Sequence, residues 1–114
     1  MSEFKIAAFI NDATFSASLA HACNGLGYGL SFPKLDQYSL TENCAIIDLN
    51  DQKLHPFQLG ESLKDNQIVV FGLVNRLNKT LQKKATEAGF DLVFQKSLFC
   101  KNLAIIATQV KHAR

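Results

Sequence analysis

The sequence predicts an α/β domain: a doubly wound, five-stranded parallel sheet with helices on both faces. Two observations predict it. Short, nearly continuous apolar runs recur along the chain, and a run of that length without polar alternation suits a strand buried on both faces. Between the runs lie longer stretches whose apolar residues recur at helical spacing, so strands and helices alternate with short links. The chain has 114 residues, 47% of them hydrophobic. That is enough for one domain, residues 1–114, with one sizeable core.

The first strand spans Phe4 to Ile10, and Asn11-Asp12 ends it. From Thr14, Phe15, Leu19, Ala22 and Leu26 fall on one helix face, with Asp12 or Thr14 as the cap that accepts a free backbone N–H. Gly25 and Gly27 close this helix, because glycine readily adopts the left-handed conformation. Tyr28 to Phe32 is a second strand, closed by Pro33, and Lys34 to Asn43 reads as a short helix or turn. Cys44 to Leu49 is a third buried strand, followed by the polar loop Asn50-Asp51-Gln52. His55-Pro56 opens a helix to about Lys64, with proline in the first turn, where no N–H is needed. Gly60 weakens that helix.

Ile68 to Phe71 is a fourth strand, closed by Gly72. Asn78 or Thr80 starts a helix with Leu81, Ala85 and Ala88 inward and Gly89 at its end. Leu92 to Phe94 is the fifth strand. Ser97 caps a last helix that carries Phe99, Leu103, Ile106 and Val110 inward, and the tail Lys111 to Arg114 is expected to fray.

A net charge of +2 leaves no electrostatic footprint for nucleic acid or an anionic membrane. Lys83-Lys84 reads as a solvated helix face. No apolar run reaches the ~20 residues of a membrane span, and the N-terminus has no signal-peptide pattern. Cys23, Cys44 and Cys100 lack metal-ligand spacing and read as small buried hydrophobes of a reducing cytoplasm. His21, His55 and His112 are scattered. Gly25, Gly27 and Gly29 spell G-x-G-x-G, but they follow a helix, and a dinucleotide fingerprint needs them between strand and helix. No strained nucleophile elbow marks a hydrolase.

In open α/β sheets, chemistry gathers beyond the carboxyl ends of the strands. Those ends deliver Asn11-Asp12, Asp48, Gly72 and Lys96. Ala88-Gly89, Val93-Phe94 and Lys96 follow in that order, after Ile46-Ile47-Asp48-Leu49. In this order the chain resembles the receiver domain of bacterial response regulators over essentially its whole length. The resemblance implies a flavodoxin-like fold with strand order 2-1-3-4-5. It implies Asp48 as the phosphoacceptor, Asp12 and Asp48 as Mg²⁺ ligands, and Lys96 as the cation that meets the phosphoryl oxygens.

The physical reasons are plain. A carboxylate nucleophile meeting an anionic donor needs a divalent cation to offset the repulsion. Mg²⁺ takes octahedral oxygen ligands, usually one or two carboxylates plus waters. The chain departs from the pattern, however. The acidic pair is Asn11-Asp12, so Mg²⁺ is expected to bind weakly or not at all. Gly72, in Val70-Phe71-Gly72-Leu73, stands at the Ser/Thr position as a remnant of the phosphate site. Ser97 follows Lys96 in place of a cis-proline, and a non-proline cis bond costs about 2.5–4 kcal/mol, so a trans bond is expected. Val93 replaces the switch aromatic.

The expectation is a degenerate, non-enzymatic receiver that acts as a protein–protein interaction module in the bacterial cytoplasm. By the resemblance its partner is a histidine kinase or a downstream effector, with homodimerisation a further option. Asp48 and Lys96 are expected to form a structural ion pair. The resemblance places the interaction surface on the helix from Asn78, the fifth strand and the last helix. Arg76, Lys79, Lys83, Gln95 and Lys101 are the exposed candidates there. Two alternatives stand beside this reading. One is a working stand-alone receiver, phosphorylated on Asp48 with Mg²⁺. The other is a small flavodoxin-like enzyme or ligand-binding domain, which requires a deep apolar pocket beyond the strand ends.

Overall fold

The computed structural model describes residues 4–34, 42–65 and 68–112. Five parallel strands form one sheet in the order β2-β1-β3-β4-β5. They are β1 (Lys5–Phe9), β2 (Gly29–Ser31), β3 (Cys44–Asp48), β4 (Val69–Val74) and β5 (Leu92–Gln95). The helices are α1 (Ala13–Leu26), α2 (Pro56–Lys64), α3 (Lys79–Glu87), α4 (Lys96–Phe99) and α5 (Leu103–His112), with a 3-10 turn at Gln52–Leu54. This is the expected fold and strand order.

The apolar runs work because β1, β3 and β4 each feed two cores. Ile6, Ala8, Cys44, Ile46, Phe71 and Leu73 face a layer made by α1, α4 and α5. The alternate residues Ala7, Phe9, Ala45, Ile47, Val70 and Val74 face α2 and α3. All five residues of β3 are buried. A central parallel strand has no solvent face, so it carries no polar alternation.

Helix ends follow their local chemistry. Asp12, not Thr14, caps α1: its Oδ1 accepts the Phe15 N–H at 3.1 Å. The chain leaves α1 at Gly27, whose φ of 75° suits glycine. Asn78, not Thr80, caps α3, accepting the N–H groups of Thr80 and Leu81 at 2.8 and 3.2 Å. Pro56 opens α2 as expected. Gly60 has a packing role: a Cβ there would overlap the Phe90 ring.

Three expectations change. β4 does not stop at Gly72 but runs through it to Val74, because Gly72 is laddered on both sides, to Ile47 and Val93. The second strand is shorter than predicted, at Gly29–Ser31. The last helix is two helices. Gln95 precedes α4 without a side-chain cap, so Ser97 caps nothing. The chain breaks after Phe99, where the Asn102 side chain donates to the Leu98 carbonyl at 2.9 Å. Most of the Lys34–Asn43 segment (35–41) and the end of the tail (113–114) lie outside the described residues.

Candidate functional site

The parallel sheet aims the ends of β1, β3 and β5 at a common rim. Asp48 is the last residue of β3 and pairs with Leu73 of β4. Lys96 follows β5 directly and opens α4. Asp12 stands just past β1 as the cap of α1. Lys96 Nζ lies 2.8 Å from Asp48 Oδ2 and 3.3 Å from Asp12 Oδ2. The structure therefore brings together three residues separated by 36 to 84 positions in sequence.

Every carboxylate oxygen in this group has a donor. Asp48 Oδ1 accepts the Asn50 N–H at 3.0 Å, and Asp12 Oδ1 holds the end of α1. Asp48 is the one buried charged residue among those described, with its side chain 6% exposed. The Lys96 side chain is 11% exposed and that of Asp12 is 37%. Burial works against the Lys96 charge, but Asp48 and then Asp12 outweigh it, and the lysine pKa is raised. The Asp12 pKa is lowered, first by the Phe15 N–H and then by Lys96.

Two further ties close the rim, and their partners Asn50, Asp51 and Asn75 lie outside the sequence-predicted set. The Asn11 amide donates to Asp51 Oδ2 at 2.8 Å, joining the loops after β1 and β3. The Asn75 N–H donates to Asn50 Oδ1 at 2.8 Å, joining the loops after β3 and β4. Asn50-Asp51 carried one signal that could have found them: Asx side chains in a loop bond nearby backbone. Asp51 does so here, accepting the Lys53 N–H at 3.1 Å.

Gly72 is not part of this cluster. It sits inside β4, against Leu49 and Phe90 in the α2/α3 layer. The residue one step past the partner of Asp48 is Val74, apolar and wholly buried. No hydroxyl stands at that point either. Val93 is half-buried on β5, and no peptide bond among the described residues is cis. Of the expected interaction surface, Arg76, Lys79, Lys83 and Lys101 are exposed. Gln95 is half-buried, because it pairs with Val74 inside the ladder.

Two clefts open among the described residues. One of about 410 Å³ runs from Ala8–Asn11 to Phe32–Lys34 and Leu54. Another of about 340 Å³ lies between the 3-10 turn and α3, against Leu49, Phe57, Leu81 and Lys84. Asp12, Asp48 and Lys96 line neither. Elsewhere, burial pushes the Cys23 thiol up to about 11 and that of Cys44 to about 12. Cys23, Cys44 and Cys100 are free thiols in or against the α1/α4/α5 core.

The donor set is a poor match for Mg²⁺. Among the described residues only two carboxylates converge, and the Lys96 ammonium bonds one oxygen of each. Among the described residues no group of three Asp, Glu, His or Cys side chains is arranged to hold a metal. No described helix is long and apolar enough to cross a membrane.

This architecture, with two acidic residues and a lysine gathered at one end of the sheet, is that of a flavodoxin-like α/β domain. No protein-family profile matches the sequence, and no curated protein does. Solved structures do match. A response regulator of Chloroflexus aurantiacus superposes with a TM-score of 0.83 at 13% identity, over 96% of this chain and 98% of its own. A chemotaxis protein of Vibrio cholerae gives 0.82 at 13%, over 96% and 99%. A CheY-like receiver domain of Methanospirillum hungatei gives 0.78 at 12%, over 99% and 100%. At such identities the likeness is one of fold: the chain has the fold of response-regulator receivers.

Proposed function

We propose that this chain is a degenerate receiver, a non-enzymatic protein–protein interaction module of bacterial two-component signalling that works in the cytoplasm without phosphoryl transfer. One observation carries the reading. The Asp48 carboxylate is 6% exposed, and both its oxygens are engaged, by Lys96 and by the Asn50 N–H. A nucleophile must approach its donor in line, and this one is enclosed. Val74 supplies no hydroxyl for the transferred group, which supports the same reading.

The output then passes through a protein partner, either a histidine kinase or a downstream effector. Arg76, Lys79, Lys83 and Lys101 supply an exposed basic docking face, and a second copy of the chain is a further occupant for it. The test is intact mass after incubation with acetyl phosphate and Mg²⁺, with beryllofluoride binding as the companion measurement. The expected result is an unmodified chain and no beryllofluoride complex. A stoichiometric phosphoryl adduct on Asp48 would establish the working receiver instead. In cells, Asp48→Asn is expected to leave signalling intact if the variant folds.

A further inference from the structure

We propose that the Lys96 ammonium, between Asp12 and Asp48, is the resident cation of this rim, and that it stays there when divalent cations are present. The inference rests on the degenerate-receiver reading and deepens it, because it names what holds the module in a single state.

The oxygens decide first. Asp48 Oδ2 and Asp12 Oδ2 both face Lys96 Nζ, at 2.8 and 3.3 Å. The other two oxygens are held by the backbone N–H groups of Asn50 and Phe15. A dication has to take oxygens away from the ammonium or from these amides.

The charges decide next. Asp12 and Asp48 carry two negative charges, so Lys96 leaves the group at −1 and an added dication brings it to +1. Among the described residues no third carboxylate converges with these two to restore neutrality: Asn11 stands beside Asp12, and Asp51 is turned to the Asn11 amide. Lys96 is 11% exposed and opens α4, so its charge is poorly screened from a newcomer between the same two oxygens.

The network also explains why the ammonium stays. The ties Asn11–Asp51 and Asn50–Asn75 hold the loops after β1, β3 and β4 against one another. Asp12 is further fixed as the cap of α1. Both oxygens that Lys96 meets are thus set by backbone elements, and the cluster is organised before any ligand arrives. A partner of this module reads a surface that divalent cations do not switch.

The experiment measures Mn²⁺ binding by the wild type, Lys96→Met and Lys96→Met/Asp12→Asn. The readouts are free Mn²⁺ by electron paramagnetic resonance and broadening of the Asp48 and Asn50 amide signals. The wild type is expected to show no saturable site at millimolar Mn²⁺. Lys96→Met is expected to gain one, tighter by about thirtyfold or more. That is the bulk-water limit for removing a unit charge about 4 Å from a dication. Asp12→Asn is expected to abolish the gain.

Saturable wild-type binding, or no gain in a folded Lys96→Met, overturns the proposal. Where Lys96→Met does not fold, the wild type still decides. Its Lys96 ammonium signal is expected to be unmoved by Mg²⁺, and displacement of that signal refutes the idea. Mn²⁺ binding without a phosphoryl adduct sinks this inference alone. An adduct on Asp48 sinks the degenerate-receiver reading itself.

Discussion

Replacing Gly72 by serine tests whether this glycine belongs to the rim or to the core. By sequence spacing Gly72 stands where receivers carry a hydroxyl, so Gly72→Ser would restore that group. The structure predicts damage instead. A Cβ at this position lies 2.7 Å from Leu49 Cδ1, 3.1 Å from Leu49 Cγ and 3.2 Å from Phe90 Cδ2. Leu49 and Phe90 are 2% and 6% exposed, so neither has open space to move into. Overpacking of this kind costs about 1–3 kcal/mol. A hydroxyl in the apolar α2/α3 layer adds about 1–3 kcal/mol when it finds no partner. Removing a glycine from a strand returns up to about 1 kcal/mol through the unfolded chain. The sum is a loss of about 1–6 kcal/mol, centred near 3, and that centre is roughly 10–15 °C in midpoint for a domain of this size. Thermal and urea unfolding measure it directly. Val74→Thr, which adds a hydroxyl without adding volume, is expected to lose less. A wild-type midpoint for Gly72→Ser, or a phosphoryl adduct gained by it, would refute the placement of Gly72 in the core.

Gly60→Ala is expected to destabilise, although alanine favours helix by about 1 kcal/mol, because the methyl group overlaps the Phe90 ring; a rise in midpoint would contradict this. Asn78→Ala removes the acceptor of two N–H groups at the start of α3 and is expected to cost about 1 kcal/mol in urea unfolding. The folded pKa of Cys23 is raised from 9.0 to about 11, so its contribution to stability is whole below pH 9.0 and falls as pH rises toward 11; stability measured across that window should decline, and less so in Cys23→Ala. Lys96→Met is expected to cost about 3 kcal/mol, since it leaves the 6% exposed Asp48 carboxylate without its cation, and Asp48→Asn less, since Lys96 keeps Asp12; the double variant is expected to cost clearly less than their sum, and strict additivity would show that the pair is not coupled.

The parallel sheet is legible because β1, β3 and β4 are buried on both faces and so read as plain apolar runs, whereas its order came from the resemblance. The meeting of Asp12, Asp48 and Lys96 was legible for a topological reason. Parallel strands all end at the same rim, and each of these residues sits at or just past a strand end. Gly72 misled because a glycine in an apolar run has two meanings, a strand end or a close approach by a neighbour, and only the positions of Leu49 and Phe90 select between them. The break in the last helix was hidden because Phe99, Leu103, Ile106 and Val110 keep helical phase across it and remain buried. The ties Asn11–Asp51 and Asn50–Asn75 depend on loops meeting in space across 40 and 25 positions of sequence, which no local pattern encodes.

On the proposed reading, the positions that depart from receivers share a physical property. Asn11, Val74 and Ser97 stand where an acid, a hydroxyl and a proline would serve phosphoryl transfer. None of these replacements leaves a buried charge without a partner. Asn11 still bonds Asp51, Val74 packs into the α2/α3 layer, and Ser97 is exposed on α4. Asp48 and Lys96 differ: losing Lys96 leaves the 6% exposed Asp48 carboxylate without its cation, a loss of about 3 kcal/mol, and losing Asp48 leaves the 11% exposed Lys96 with Asp12 alone. Against a total stability of about 5–15 kcal/mol, such a loss threatens the fold. An ion pair at this rim can therefore persist for structural reasons alone. Its presence is evidence for the fold and for a closed rim, whereas evidence for phosphorylation has to come from the residues that turnover alone requires.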